Sequence, residues 1–111
     1  MSLIYKICDV DLWEKAEAEG HFIGADIDLR DGFIHFSTSE QLSETLRLHF
    51  EGVQNLLLLT IDGSRLDLKW EPARTGNLFP HLYDILPLSA VLRVNPILLD
   101  DDGRHILPNQ L

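Results

Sequence analysis

Gly32-Phe33-Ile34-His35-Phe36-Ser37-Thr38 reads as a short apolar strand that runs straight into a helix. Alternation along an extended chain sends Phe33, His35 and Ser37 to one face and Ile34 and Phe36 to the other, which leaves His35 and Ser37 ~7 Å apart on one side. Beyond it, Leu42, Leu46, Phe50 and Val53 keep the four-residue rhythm of a helix lying on a core, with Gly52 at its end. Thr38 with Gln41, or Ser37 with Glu40, has capping-box spacing, in which a hydroxyl accepts the third amide and the other side chain reaches back.

Upstream, Leu3 to Cys8 alternates and is rich in Ile and Tyr, as a first strand does. Asp9 or Asp11 can cap a helix running to about Glu19, with Trp13, Ala16 and Gly20 at helical spacing and Glu14, Glu17 and Glu19 in solvent. Gly20 to Asp31 is less regular and reads as a loop, or as one short strand around Phe22. Downstream, Leu56 to Ile61 is nearly unbroken apolar sequence, the mark of a central strand covered on both faces, and Asp62-Gly63-Ser64 ends it. Leu66, Leu68 and Trp70 alternate with Asp67, Lys69 and Glu71 until Pro72 stops the strand.

Arg74-Thr75-Gly76-Asn77 is turn-like, and Leu78 to Tyr83 reads as loop. Pro87 can start one helical turn, Val91 to Val94 and Ile97 to Leu99 read as strands, and Asp100-Asp101-Asp102-Gly103 as a hairpin turn closing on His105 to Leu107. Strand, helix, strand, helix and then mostly strands make an α+β fold with its helices gathered at one side.

A chain of 111 residues is expected to form a single domain over 1–111, large enough for a continuous core. No segment is long and apolar enough to span a bilayer, and Met1 to Lys6 lacks the marks of a secretory signal, so the expected compartment is the cytoplasm. One cysteine, Cys8, can form no internal disulfide and reads as a small buried hydrophobe at a strand end. The net charge of −9 opposes nucleic acid and anionic membranes as partners, and leaves a small-molecule ligand as the expected one.

Four groups of residues could carry function, each with a plainer alternative. His35 with Ser37 and Thr38 at a helix start would make an anion-binding corner, although the hydroxyls also serve as helix caps. Phe79-Pro80-His81-Leu82-Tyr83 could stack a planar ligand between Phe79 and Tyr83 while His81 bonds to it, or could plug the core edge. Glu71 at a strand end could face a cleft as an acid, with Arg74 as a phosphate clamp; both are also ordinary surface residues. Asp100-Asp101-Asp102-Gly103 lacks the acid spacing of a calcium loop, and no zinc motif occurs, so no metal is expected.

Ile4-Tyr5-Lys6-Ile7, Trp13, Gly20, the Gly32 to Thr38 motif with Gln41, Leu57 to Asp62, Trp70-Glu71-Pro72, Phe79 to Tyr83 and Pro87-Leu88 together resemble the bacterial family catalogued as domain of unknown function 952. That family's fold resembles the ADP-ribosyltransferase superfamily, in which small sheets form a cleft that binds NAD. The resemblance implies small mixed sheets forming a split β core with two helices, and a cleft lined by His35, Ser37 and Thr38 with His81 and Tyr83 opposite. That superfamily often carries His in the first strand where this chain has Lys6, and Glu71 is the nearest candidate for its catalytic acid.

The expected function is therefore binding of NAD or a related nucleotide, with transfer or hydrolysis of ADP-ribose. His35, Glu71 and His81 are the catalytic candidates, and His35, Ser37, Thr38, Arg74, Phe79, His81 and Tyr83 the binding candidates. Two alternatives stand beside it: a non-catalytic module for a small metabolite or peptide, and a structural interaction protein whose histidines are core residues. Whether His35 and His81 share a cavity separates a site from a scaffold.

Overall fold

A computed structural model describes residues 2–108. Its centre is an antiparallel sheet of β1 (Leu3–Asp9), β4 (Leu56–Asp62), β8 (Val91–Leu99) and β9 (His105–Ile106), in the order β1-β4-β8-β9. The apolar run of β4 explains its place: Leu58, Leu59 and Ile61 are 0% exposed, because residues of both parities need cover.

On one face, α3 (Leu42–His49) packs Leu42 and Leu46 against Tyr5, Ile7, Leu56 and Leu58. On the other, Trp13 and Ala16 of α1 (Val10–Glu19) share a core with Ile4, Leu59, Ile34, Phe36 and Leu82. The last three belong to a second layer, made by a two-stranded pair and a three-stranded sheet. The pair is β2 (His21–Phe22) with β7 (Leu86–Pro87). The sheet, in the order β3-β6-β5, joins β3 (Ile34–His35), β6 (Leu78–Leu82) and β5 (Lys69–Pro72). The fold is α+β, with curled antiparallel sheets and few helices.

Local signals account for the ends of α1. Asp9 accepts the Leu12 amide at 2.8 Å, and Gly20 closes the helix at φ +85°. Cys8 is buried at the end of β1, and burial pushes its thiol up to about 12, so it holds no thiolate near neutral pH. Asp100-Asp101-Asp102-Gly103 forms the tight turn between β8 and β9, with the Asp100 carboxylate accepting the amides of Asp102 and Arg104.

Several expectations are corrected: α1 and α3 cover opposite faces of the central sheet instead of gathering at one side, and the strand pairs are antiparallel rather than mixed. The stretch before Gly32 is not all loop: Asp26–Asp31 forms a helix, α2, whose start is capped from inside when Asp28 Oδ2 accepts the Ala25 amide at 2.8 Å. Leu78 to Tyr83 is not a loop, since Leu78–Leu82 is the middle strand β6. The strand near Trp70 begins only at Lys69, because Gly63–Arg65 forms a 3₁₀ turn, and Trp70 is exposed rather than buried. Phe50 ends α3 and Val53 lies exposed beyond it. The two late strands are one, β8; β9 reaches only Leu98 and Leu99, so Pro96 sits on an open edge where a missing amide is tolerated. Among the described residues, no helix is long and apolar enough to cross a membrane.

Candidate functional site

The three-stranded sheet brings the two histidine motifs together. Antiparallel register sets His35 of β3 opposite His81 of β6, and His81 opposite Lys69 of β5; two residues on, Glu71 lies opposite Phe79. Alternation turns Ile34, Pro80 and Leu82 into the core, so Phe33, His35, His81, Tyr83 and Glu71 share the outer face. The two imidazoles meet edge to face, with ring centroids 5.3 Å apart.

Each imidazole is held by a carboxylate. His35 Nδ1 donates to Asp28 Oδ1 at 2.6 Å, and the His35 amide donates to the same oxygen at 3.1 Å. Asp28 is 2% exposed and Lys6, its ion-pair partner at 2.8 Å, is 6% exposed. The Lys6 ammonium also donates to the His35 carbonyl at 2.9 Å, so β1, α2 and β3 converge on one buried carboxylate. Gly24 makes room for it at φ +116°, since a Cβ there would meet the Asp28 Cβ at 2.7 Å. Outside, Asp31 Oδ2 lies 3.1 Å from His35 Nε2.

Burial alone would push the Asp28 carboxyl up; the hydrogen bond from His35 and the Lys6 charge outweigh it and hold the group at about 2, below the ordinary 3.8. A depressed folded-state value stabilises the fold above the unfolded value and loses that contribution as pH falls. Stability is therefore expected to drop by about 2 kcal/mol between pH values near 4 and near 2 through this group. Urea unfolding at successive pH values checks this: Asp28→Asn should flatten that limb of the profile, and an unchanged limb would contradict it.

The second dyad is His81 with Glu71. His81 Nδ1 donates to Glu71 Oε1 at 2.8 Å, and the Tyr83 hydroxyl donates to the same oxygen at 2.6 Å. These bonds, from Tyr83 first and His81 next, hold the Glu71 carboxyl below its ordinary value, and Glu71 in turn raises the Tyr83 phenol. With Nδ1 committed as a donor, His81 presents Nε2 outward, and among the described residues no protein group bonds to it. This is the arrangement by which a carboxylate orients an imidazole for proton transfer.

Of the other candidates, Ser37, Thr38 and Arg74 lie apart from the two histidines. Ser37 leaves the second sheet altogether: its backbone exchanges two 2.8 Å bonds with Tyr5, and its buried hydroxyl meets Thr45 of α3 at 3.1 Å. The strand alternation expected to align Ser37 with His35 fails because β3 is only two residues long. The Thr38 amide donates to Gln41 Oε1 at 3.0 Å, so the helix start caps itself instead of offering a free corner. Arg74 is exposed in the tight turn between β5 and β6, beyond the histidines. Phe79 keeps to the same face as His81, two residues along β6, half-buried opposite Glu71.

A cavity of about 260 Å³ borders the face at Lys69 and Tyr83 and has Leu66, Leu82 and Pro87 in its wall, yet neither imidazole lines it. Phe33 lies over the imidazoles instead. Its ring lies stacked on His81 at 4.2 Å and stands 4.6 Å from His35 and 5.0 Å from Tyr83, so it covers the pair. Among the described residues, no group of three or more His, Cys, Asp or Glu side chains is placed to hold a metal.

Residues 7–94, which span both carboxylate–histidine pairs, match one family model, described as Protein of unknown function (DUF952). The chain belongs to the DUF952 family. Protein CC0527 from Caulobacter crescentus is 47% identical to this DUF952 chain; its crystal structure aligns over 95% of this chain and 94% of that one with a TM-score of 0.90. The solution NMR structure of CC0527 gives a TM-score of 0.81 over 94% of this chain and 91% of that one, at 47% identity. No curated protein is significantly similar to the chain.

Sequence reasoning missed Asp28, Asp31, and the structural use of Lys6 and Phe33. A buried acid cannot be told from its solvated neighbours in Asp26-Ile27-Asp28-Leu29-Arg30-Asp31 by residue type. The one signal was Lys6 itself, a cation inside an otherwise apolar strand that calls for a buried partner.

Proposed function

We propose that the outer face of the β3-β6-β5 sheet binds a nucleotide of the NAD class, with His35 and His81 at its centre. The observation that carries this is the cross-strand pairing of the two histidines, each fixed through Nδ1 by its own carboxylate. The side chains suit such a ligand. Tyr83 offers a planar surface, imidazole N–H groups can donate to ribose or phosphate oxygens, and Lys69 and Arg65 border the adjacent cavity.

NAD, when bound, would supply the ribose C1–N bond to nicotinamide: it breaks with its electron pair leaving on neutral nicotinamide, while the oxygen of a hydroxyl or water forms the new bond to C1 of the ADP-ribose. In that reaction His81 Nε2 takes a proton from the attacking hydroxyl or water, and Glu71 steadies the resulting imidazolium through Nδ1. His35 orients an oxygen of the ligand. Glu71 acts through His81, since the oxygen nearest the face already accepts two bonds. That saturation also favours a second reading, a non-catalytic module in which the same face only binds.

Calorimetry with NAD, ADP-ribose and nicotinamide at millimolar concentrations tests the proposal. Saturable heat with the full chain, lost in a folded His81→Ala variant, is the expected result. Absence of heat with all three contradicts it, and binding without turnover supports the non-catalytic reading.

A further inference from the structure

Asp31-Gly32-Phe33, the turn between α2 and β3, touches both imidazoles at once. Asp31 Oδ2 lies 3.1 Å from His35 Nε2, and the Phe33 ring stacks on His81 at a centroid distance of 4.2 Å with the planes 28° apart. Neither side chain belongs to the two core clusters: the Asp31 side chain is 33% exposed and Phe33 is only half-buried. Gly32 between them closes α2 at φ +85°, with its amide and that of Phe33 donating to the Asp28 carbonyl, and no heavy atom lies within 4 Å of where a Cβ would stand.

We infer that this turn fills the site with the chain's own carboxylate and phenyl ring, and that the ligand they stand in for is a planar ring bearing an anionic group. The two contacts are of different chemistry, a carboxylate oxygen set against the edge of the His35 ring and aromatic stacking on His81. A neutral ring replaces only the second, and a bare anion only the first. A molecule with both, joined over the short span between Asp31 and Phe33, replaces the turn completely. Its arrival also frees Arg30, whose Nε lies 3.3 Å from the other Asp31 oxygen, to meet the incoming anion. The turn lowers apparent affinity by the fraction of time it covers the site. This inference rests on the reading that the face binds a small molecule, and it names the chemical class.

The experiment titrates the isotope-labelled full chain with phenyl phosphate, phenol and inorganic phosphate, following the His35 and His81 ring signals by NMR. Wild type is compared with Asp31→Asn and with the Asp31→Asn/Phe33→Ala double variant. Phenyl phosphate is expected to move both rings, and to bind about threefold more tightly to Asp31→Asn and about tenfold more tightly to the double variant, with phenol and inorganic phosphate weaker throughout. Equal or weaker binding of phenyl phosphate by the variants, or none at all, overturns the inference. Asp31→Asn, a surface change, decides the matter if the double variant does not fold. NAD titrated in parallel separates the two claims: NAD binding without gain in the variants overturns this inference and leaves the NAD reading standing. A gain for phenyl phosphate without NAD binding upholds the inference and removes that reading.

Discussion

Asp28→Ala is expected to lower the free energy of unfolding by about 3–5 kcal/mol in urea titrations at neutral pH. The magnitude follows from what the change leaves behind. Lys6 is almost fully buried, and its ammonium would lose both oxygens of its ionic partner and keep only the His35 carbonyl at 2.9 Å. The Ala25 and His35 amides and His35 Nδ1 would lose their acceptor in the same step. For a domain of ordinary stability, 5–15 kcal/mol, that is a large fraction of the whole. Lys6→Met removes the stranded cation, so the double variant Lys6→Met/Asp28→Ala should be more stable than the sum of the single losses implies. Strictly additive losses would contradict a coupled pair.

Glu71→Gln is expected to cost about 10–100-fold in ligand affinity or turnover while leaving thermal stability nearly unchanged. The substitution keeps the size of a side chain that is only half-buried, so packing is preserved. It removes the negative charge that both the Tyr83 hydroxyl and His81 Nδ1 address, and with it the preference for the tautomer that presents Nε2. Long-range nitrogen–proton NMR of the His81 ring supplies a readout that a merely structural role would not move. Loss of function with an unaltered His81 ring would show that Glu71 does not act through it. Tyr83→Phe should have a smaller effect in the same direction, because Glu71 keeps its bond to His81.

Much of the framework was legible where one local signal dominates. The apolar run of β4 announces burial on both faces, and the Asp9 cap with Gly20 brackets α1. The hairpin turn after β8 follows from its acids and glycine in the same way. The failures have physical causes. α2 is six residues long and its N-cap is Ala25, so its capping comes from Asp28 inside the helix and no hydroxyl marks the start. Pro80 made β6 look like loop, but a proline keeps its acceptor, and the Pro80 carbonyl takes the Phe36 amide at 3.0 Å.

The site divides along the same line. His35, His81, Glu71 and Tyr83 could be named from residue type and local pattern, because each stands on an alternating strand or beside one. That His35 and His81 are neighbours could not, since 46 positions separate them and their register depends on the packing of Ile34 and Leu82 into the core beneath. Ser37 failed for the converse reason: a contact with Tyr5 in the other sheet overrode the local alternation.

The most direct test of the account is an NMR titration of the full chain with NAD that follows the ring signals of His35 and His81 together. One binding face predicts that both sets of signals move along a single saturation curve, and that His81→Ala abolishes the response at His35. Signals that stay in place, or one histidine responding without the other, would contradict it.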